Sequence, residues 1–141
     1  MAIDTAKIES VLQTFVAGTN DVQGAALVTP DGLSLATCLP HGMDEERTSA
    51  MSAAMLSLGE RIGRELGRGE IEKIYVEGDK GYCVLTGCGE DAVFLAFASQ
   101  NVKQGLLLLE IKNAVSQLRR IMTEGWTQPG SNARVAGFPA R

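Results

Sequence analysis

The chain has 141 residues, 45% hydrophobic and 21% charged, a composition that builds one domain with a real core and excludes disorder over its bulk. Thirteen basic and 17 acidic side chains give a net charge of −4, which leaves no surplus of cations for phosphates, so no nucleic-acid partner is expected. The longest apolar runs, 93–98 and 106–109, are far short of a bilayer span and the N-terminus shows no secretory pattern, so a cytoplasmic protein without membrane insertion is expected.

Thr5 to Ala17 sets Ile8, Val11, Leu12 and Phe15 at helical spacing, with Asp4 or Thr5 as N-cap and Gly18 as stop. Gln23 to Val28 is short and apolar, Thr29-Pro30-Asp31-Gly32 has turn chemistry, and Leu33 to Leu39 alternates; together they predict a hairpin. Pro40-His41-Gly42 breaks the second strand, and Asp44 can cap a long helix, Arg47 to Leu66, that ends at Gly67-Arg68-Gly69. Strands are expected over Ile71–Glu77, Gly81–Gly87 and Ala92–Ala98, joined by short glycine-bearing turns, which makes an antiparallel meander. Val102 to Met122 is the last helix, with Leu107, Ile111, Ala114, Leu118 and Ile121 on one stripe. Residues 124–141, rich in Gly, Pro, Ser and Asn, read as a flexible tail after a domain spanning 1–123. The order α-β-β-α-β-β-β-α predicts an α+β fold in which helices cover both faces of one antiparallel sheet.

Metal and disulfide chemistry find little support. Cys38, Cys83 and Cys88 form an odd set beside apolar runs, and His41 alone cannot complete a tetrahedral shell, so reduced, half-buried thiols and no metal or cofactor are expected. Gly78-Asp79-Lys80-Gly81 lacks the spacing of a phosphate loop. Asp31, Ser34 and His41 have no nucleophile elbow around the serine. Asp44, Glu45 and Glu46 begin a helix, where negative charge suits the dipole. No catalytic residue is therefore assigned, and a binding module is preferred to an enzyme.

The middle helix carries most of the functional signal. Met51, Met55, Leu58, Ile62 and Leu66 recur at helical spacing and are expected to face the sheet. A second seam of Ser49, Ser52, Leu56, Gly59 and Gly63, with Ala53 beside it, is expected to pair with its copy about a two-fold axis. Glycine costs about 1 kcal/mol against alanine inside a helix, so two of them four apart imply a close approach. Packing under a loop of the same chain is the alternative. Arg61, Arg64 and Arg68 lie in one sector near the helix C-terminus, where dipole compensation competes with a cationic rim for a partner.

Read together, Gly24-Ala25-Ala26-Leu27-Val28-Thr29-Pro30-Asp31-Gly32, the small-residue helix Ser49–Leu66, Ile74-Tyr75-Val76-Glu77-Gly78 and Asn101-Val102-Lys103-Gln104-Gly105-Leu106-Leu107 resemble the Roadblock/LC7 family, most closely its bacterial MglB-like branch. The resemblance runs from about Thr5 to Met122. It implies a five-stranded antiparallel sheet with two helices on one face and the long middle helix on the other. It also implies homodimers, or heterodimers with a paralogue, in which middle helices pack on each other and third strands pair edge to edge. That would add Ile71, Lys73 and Tyr75 to the dimer interface. The partner implied is a Ras-like small GTPase, docked across the paired helices with Glu60, Arg61, Arg64 and Arg68 at the contact. The regulator would stimulate GTP hydrolysis by reordering the GTPase's switch loops rather than by chemistry of its own. A scaffold without effect on hydrolysis, and a ligand sensor of profilin-like architecture, are the competing readings; 5% aromatic residues make poor pocket lining for the latter.

Overall fold

The computed structural model describes residues 4–18 and 20–126. The elements follow in the expected order: α1 (Thr5–Ala17), β1 (Val22–Val28), β2 (Ser34–Cys38), α2 (Glu45–Glu65), β3 (Lys73–Gly78), β4 (Gly81–Gly87), β5 (Val93–Ser99) and α3 (Gln104–Trp126). The strands form one antiparallel sheet in the order β2-β1-β5-β4-β3, which makes β2 and β3 its edges.

Local chemistry accounts for the boundaries. At the β1–β2 turn the Thr29 hydroxyl donates to Asp31, accepts from the Leu33 amide at 3.0 Å, and Gly32 takes φ 97°. Asp44 caps α2, its Oδ1 accepting from the amides of Glu46 (3.0 Å) and Arg47 (3.4 Å). The capping carboxylate lets the helix begin at Glu45, two residues before the expected start. At the other end the amides of Arg68 and Gly69 both reach the Gly63 carbonyl, and Gly67 and Gly69 take positive φ, which closes the helix.

Helix α3 extends to Trp126, beyond the expected Met122. Residues 123–126 hold no proline, and the first strong breaker is Pro129. The rest of the expected tail, 127–141, lies outside the described residues.

The central strands β1 and β5 are buried on both faces, and alternate residues enter two separate cores. Ala25 and Leu27 of β1, Val84 of β4, and Phe94, Ala96 and Ala98 of β5 meet Ile8, Leu12 and Phe15 of α1 and Leu107, Ile111 and Leu118 of α3. Phe15 meets Phe94 edge-on, ring centroids 5.2 Å apart. On the opposite face Ala26, Val28, Leu85, Val93 and Leu95 form a smaller core, closed by Met55 and Leu56 of α2. Two helices thus cover one face and the middle helix the other, as expected from the resemblance.

Candidate partner-binding surface

The structure exchanges the roles expected for the two stripes of α2. The small-residue seam lies on the chain's own sheet. Ser49 and Ser52 are buried, with Ser52 Oγ donating to the Thr48 carbonyl at 2.8 Å. Gly63 is buried and Leu56 half-buried. A Cβ on Gly59 would stand 2.6 Å from Ile74 Cδ1, and one on Gly63 would stand 2.4 Å from the Gly69 carbonyl and 2.9 Å from Ile71 Cδ1. Half-buried Ala53 approaches the β1–β2 turn: a Cβ on Gly32 would lie 3.6 Å from its own. The glycines do serve a close approach, but the surface approached is Ile71, Ile74 and the backbone after the helix.

The large side chains, expected to face the sheet, are the ones left in the open. Met51, Leu58, Ile62 and Leu66 are 60%, 59%, 46% and 66% exposed. Met55 alone of that stripe reaches the core. Periodicity identifies a helix with two faces but not which face meets which surface. The missing signal was in β3, where Ile74 already supplies the bulk beneath α2 and leaves room only for glycine.

Next to the open stripe runs a shallow apolar groove of about 250 Å³. Met43, Met51 and Met55 form one wall, and Val76, Cys83 and Phe97 line the sheet side. The groove leads to the edge strand β3, which pairs with β4 alone. Along it Lys73, Tyr75 and Val76 are exposed, whereas Ile71 precedes the strand and turns under Gly63. Lys73 and Tyr75 therefore stay on the open edge and Ile71 leaves it.

The expected cationic rim is discontinuous. Arg61 Nε pairs with Glu65 Oε2 at 2.7 Å, one turn on and exposed, a geometry worth at most about 0.5 kcal/mol. Arg68 is past the helix, and its Nε donates to the Leu66 carbonyl at 3.1 Å. Arg64 is exposed in the last turn, where the dipole favours a cation. Glu60 lies about 160° around the helix from Ile62, on the far flank from the apolar stripe.

Three of the carboxylates weighed for catalysis serve local structure. Asp31 holds the Thr29 turn, Asp44 caps α2, and Glu45 accepts from Thr37 Oγ1 at 2.9 Å. Cys38, Cys83 and Cys88 are free thiols; burial pushes those of Cys83 and Cys88 up to about 11, away from reactive thiolate. No helix among the described residues is long and apolar enough to cross a membrane.

A two-helix face, a one-helix face and a free third strand form the frame in which known relatives can be compared. The profile of the Roadblock/LC7 domain matches residues 8–98, which include the whole sheet up to Ala98 and the α2 layer. The chain belongs to the Roadblock/LC7 family. This Roadblock/LC7 chain shares its fold with Myxococcus xanthus MglB, at 19% identity and a TM-score of 0.83, covering 91% of this chain and 96% of that one. A structure described as MglB with tetrameric arrangement is similar at 19% identity and a TM-score of 0.80, covering 89% and 94%. MJ0310, an uncharacterized protein of Methanocaldococcus jannaschii, is 30% identical over 101 residues, covering 72% of this chain and 88% of the relative.

Proposed function

We propose that this Roadblock/LC7 protein is a dimeric, non-catalytic regulator that docks a Ras-like small GTPase across paired α2 helices and promotes its GTP hydrolysis. The observation that carries the reading is the open stripe of Met51, Leu58, Ile62 and Leu66 beside the unpaired edge of β3. Four large apolar side chains on one helix flank, continuous with a methionine-lined groove, form a patch that single exposed residues do not explain. An edge strand with no proline is equally open to pairing. A twin related by a two-fold axis would cover both features with one surface. The interface is thus assigned to Met51, Leu58, Ile62, Leu66 and the β3 edge at Lys73 and Tyr75, in place of the glycine seam.

Hydrolysis of GTP needs an ordered water and stabilised charge, and a partner can supply either. The arginines of α2 give little support to an inserted cation: Arg61 is held by Glu65 and Arg68 by the backbone. Population shift fits better. A dimer that binds the active arrangement of the switch loops more tightly than the inactive one draws the GTPase toward it. The platform belongs in the compartment where such GTPases work, the cytoplasm, and needs no cofactor.

Two measurements test the reading. Light scattering should give a dimer for the native chain and a folded monomer for Leu58→Glu/Ile62→Glu. Single-turnover GTP hydrolysis by a Ras-like GTPase should be accelerated by the native chain and not by the double variant. Binding that ignores the nucleotide, with no change in rate, would make the protein a scaffold. A native monomer would remove the platform altogether.

A further inference from the structure

On the face covered by α1 and α3 the sheet is wider than its cover. Five strands about 4.8 Å apart span about 24 Å, whereas two helices about 10 Å wide hide about 20 Å. Helix α1 packs over β1 and β2. Helix α3 passes the end of β4, where the Val115 carbonyl lies 3.9 Å from Cys88 Sγ. Strand β3 is left bare on this side. Lys73 and Tyr75 are both exposed here, and they share this face with their register partners Thr86 and Val84, of which Val84 belongs to the α1/α3 core.

Between α3 and β3 the uncovered strip forms a cleft of about 830 Å³. Its helical wall is Leu108, Lys112, Val115 and Arg119, whose spacings of four, three and four put apolar and cationic side chains alternately on one face. Lys73 faces them from the strand. The apolar part of the wall is open: Leu109 is 53% exposed, and Leu108 and Val115 are half-buried. Lys73, Lys112 and Arg119 are exposed, and none of them is in an ion pair with another described residue. Glu72 is the one carboxylate that lines the cleft.

We infer that this cleft takes a short acidic segment of a partner protein, its carboxylates on Lys73, Lys112 and Arg119 and its apolar side chains against Leu108, Leu109 and Val115. Exposed ion pairs are individually weak, so the leucines supply the burial and the cations select the charge. A net charge of −4 repels a long polyanion or an anionic bilayer, and a concave site suits a single chain segment better than either. The cleft lies on the opposite side of the sheet from α2. Pairing of β3 edges would engage the backbone of Lys73 and not its side chain, so the inference rests on neither the proposed dimer nor the GTPase.

The test selects random dodecapeptides displayed on phage against the full native chain, with no GTPase present. The enriched peptides should be acidic and carry leucine, isoleucine or phenylalanine. Measured by fluorescence anisotropy, they should bind Lys112→Glu/Arg119→Glu about tenfold more weakly or worse. They should also weaken in about 1 M NaCl, where the screening length falls to about 3 Å. Amide shifts on binding should centre on Lys73, Thr86, Gly87, Lys112 and Ser116. Leu58→Glu/Ile62→Glu should bind the peptides with native affinity, so a failure of the dimer reading leaves this one standing. Enrichment without acidic character, equal affinity for the charge-reversed variant, or shifts confined to another surface would overturn the inference. So would sedimentation with phosphatidylglycerol vesicles that the charge-reversed variant loses, since that result assigns the cleft to a membrane.

Discussion

On the face covered by α1 and α3, Ile8, Leu12, Leu107, Ile111 and Leu118 are each no more than 1% exposed and meet Phe94 and Leu27 with full-sized side chains. On the face covered by α2, Met55 and Leu56 reach the core beside the small Ser49, Ser52, Gly59 and Gly63, and the helix's other large residues point elsewhere. The first arrangement buries one full stripe of large apolar side chains on each helix in the chain's own core, although Leu106 and Leu109 of α3 stay exposed. The second brings backbone close to sheet, fills the gap with Ile71 and Ile74, and leaves Met51, Leu58, Ile62 and Leu66 outward. A helix that packs by small residues can thus be held firmly and still offer an apolar flank to a partner.

The sharpest way to break this comparison is to damage each face in the manner of the other. Leu118→Ala, in the α1/α3 core, should leave a cavity and cost about 2–5 kcal/mol, read as a fall in the urea midpoint at unchanged slope. On the α2 face the sensitive change is an addition. Gly63→Ala drives a methyl into the Gly69 carbonyl, which belongs to the helix-ending backbone and cannot swing aside. Overpacking of this kind costs about 1–3 kcal/mol, against a gain of about 1 kcal/mol in helix propensity. Gly59→Ala meets only the end of the Ile74 side chain, which can rotate, so its net effect should be smaller by at least about 1 kcal/mol. Equal losses at the two glycines in urea unfolding would mean that α2 does not sit as close as described.

How far each face could be read from residues follows the same division. Element order and boundaries were legible because punctuation was local: Asp44 before α2, Gly67 and Gly69 after it, and Thr29-Pro30-Asp31-Gly32 between β1 and β2 each act on their own neighbours. The α3 stripe was legible because large residues on a helix beside a sheet usually cover it, and Leu107, Ile111 and Leu118 do. That same rule misplaced α2. Its large stripe and its small stripe both have helical period, and only the bulk carried by Ile74 beneath it decides which one the sheet accepts. The arginine sector was misread for a related reason: Arg68 has helical spacing from Arg64 but sits after the C-cap at Leu66, where spacing no longer means a shared face.

The mildest test uses the two deeper thiols, one on each side of the sheet. Cys88 belongs to the α1/α3 core, and Cys83 lines the groove beside α2. Burial raises both to about 11, from an ordinary value of 9.0. A raised thiol holds its proton more tightly when folded, so its contribution to stability is present below pH 9 and is lost as pH rises through 11. Replacing Cys88 by alanine should therefore flatten the alkaline fall in stability between those values, and Cys83→Ala should do the same. The faces separate once the proposed dimer is opened. In Leu58→Glu/Ile62→Glu the groove would lose the cover proposed to come from a twin, so Cys83 should be alkylated faster than in the native chain, while Cys88, packed under Val115 of its own chain, should keep its native rate. Mass spectrometry after timed alkylation at pH 8.5 resolves the two sites. Acceleration at both cysteines would mean the double variant loosens the whole fold, and acceleration at neither would mean that the groove and the apolar stripe are not covered together.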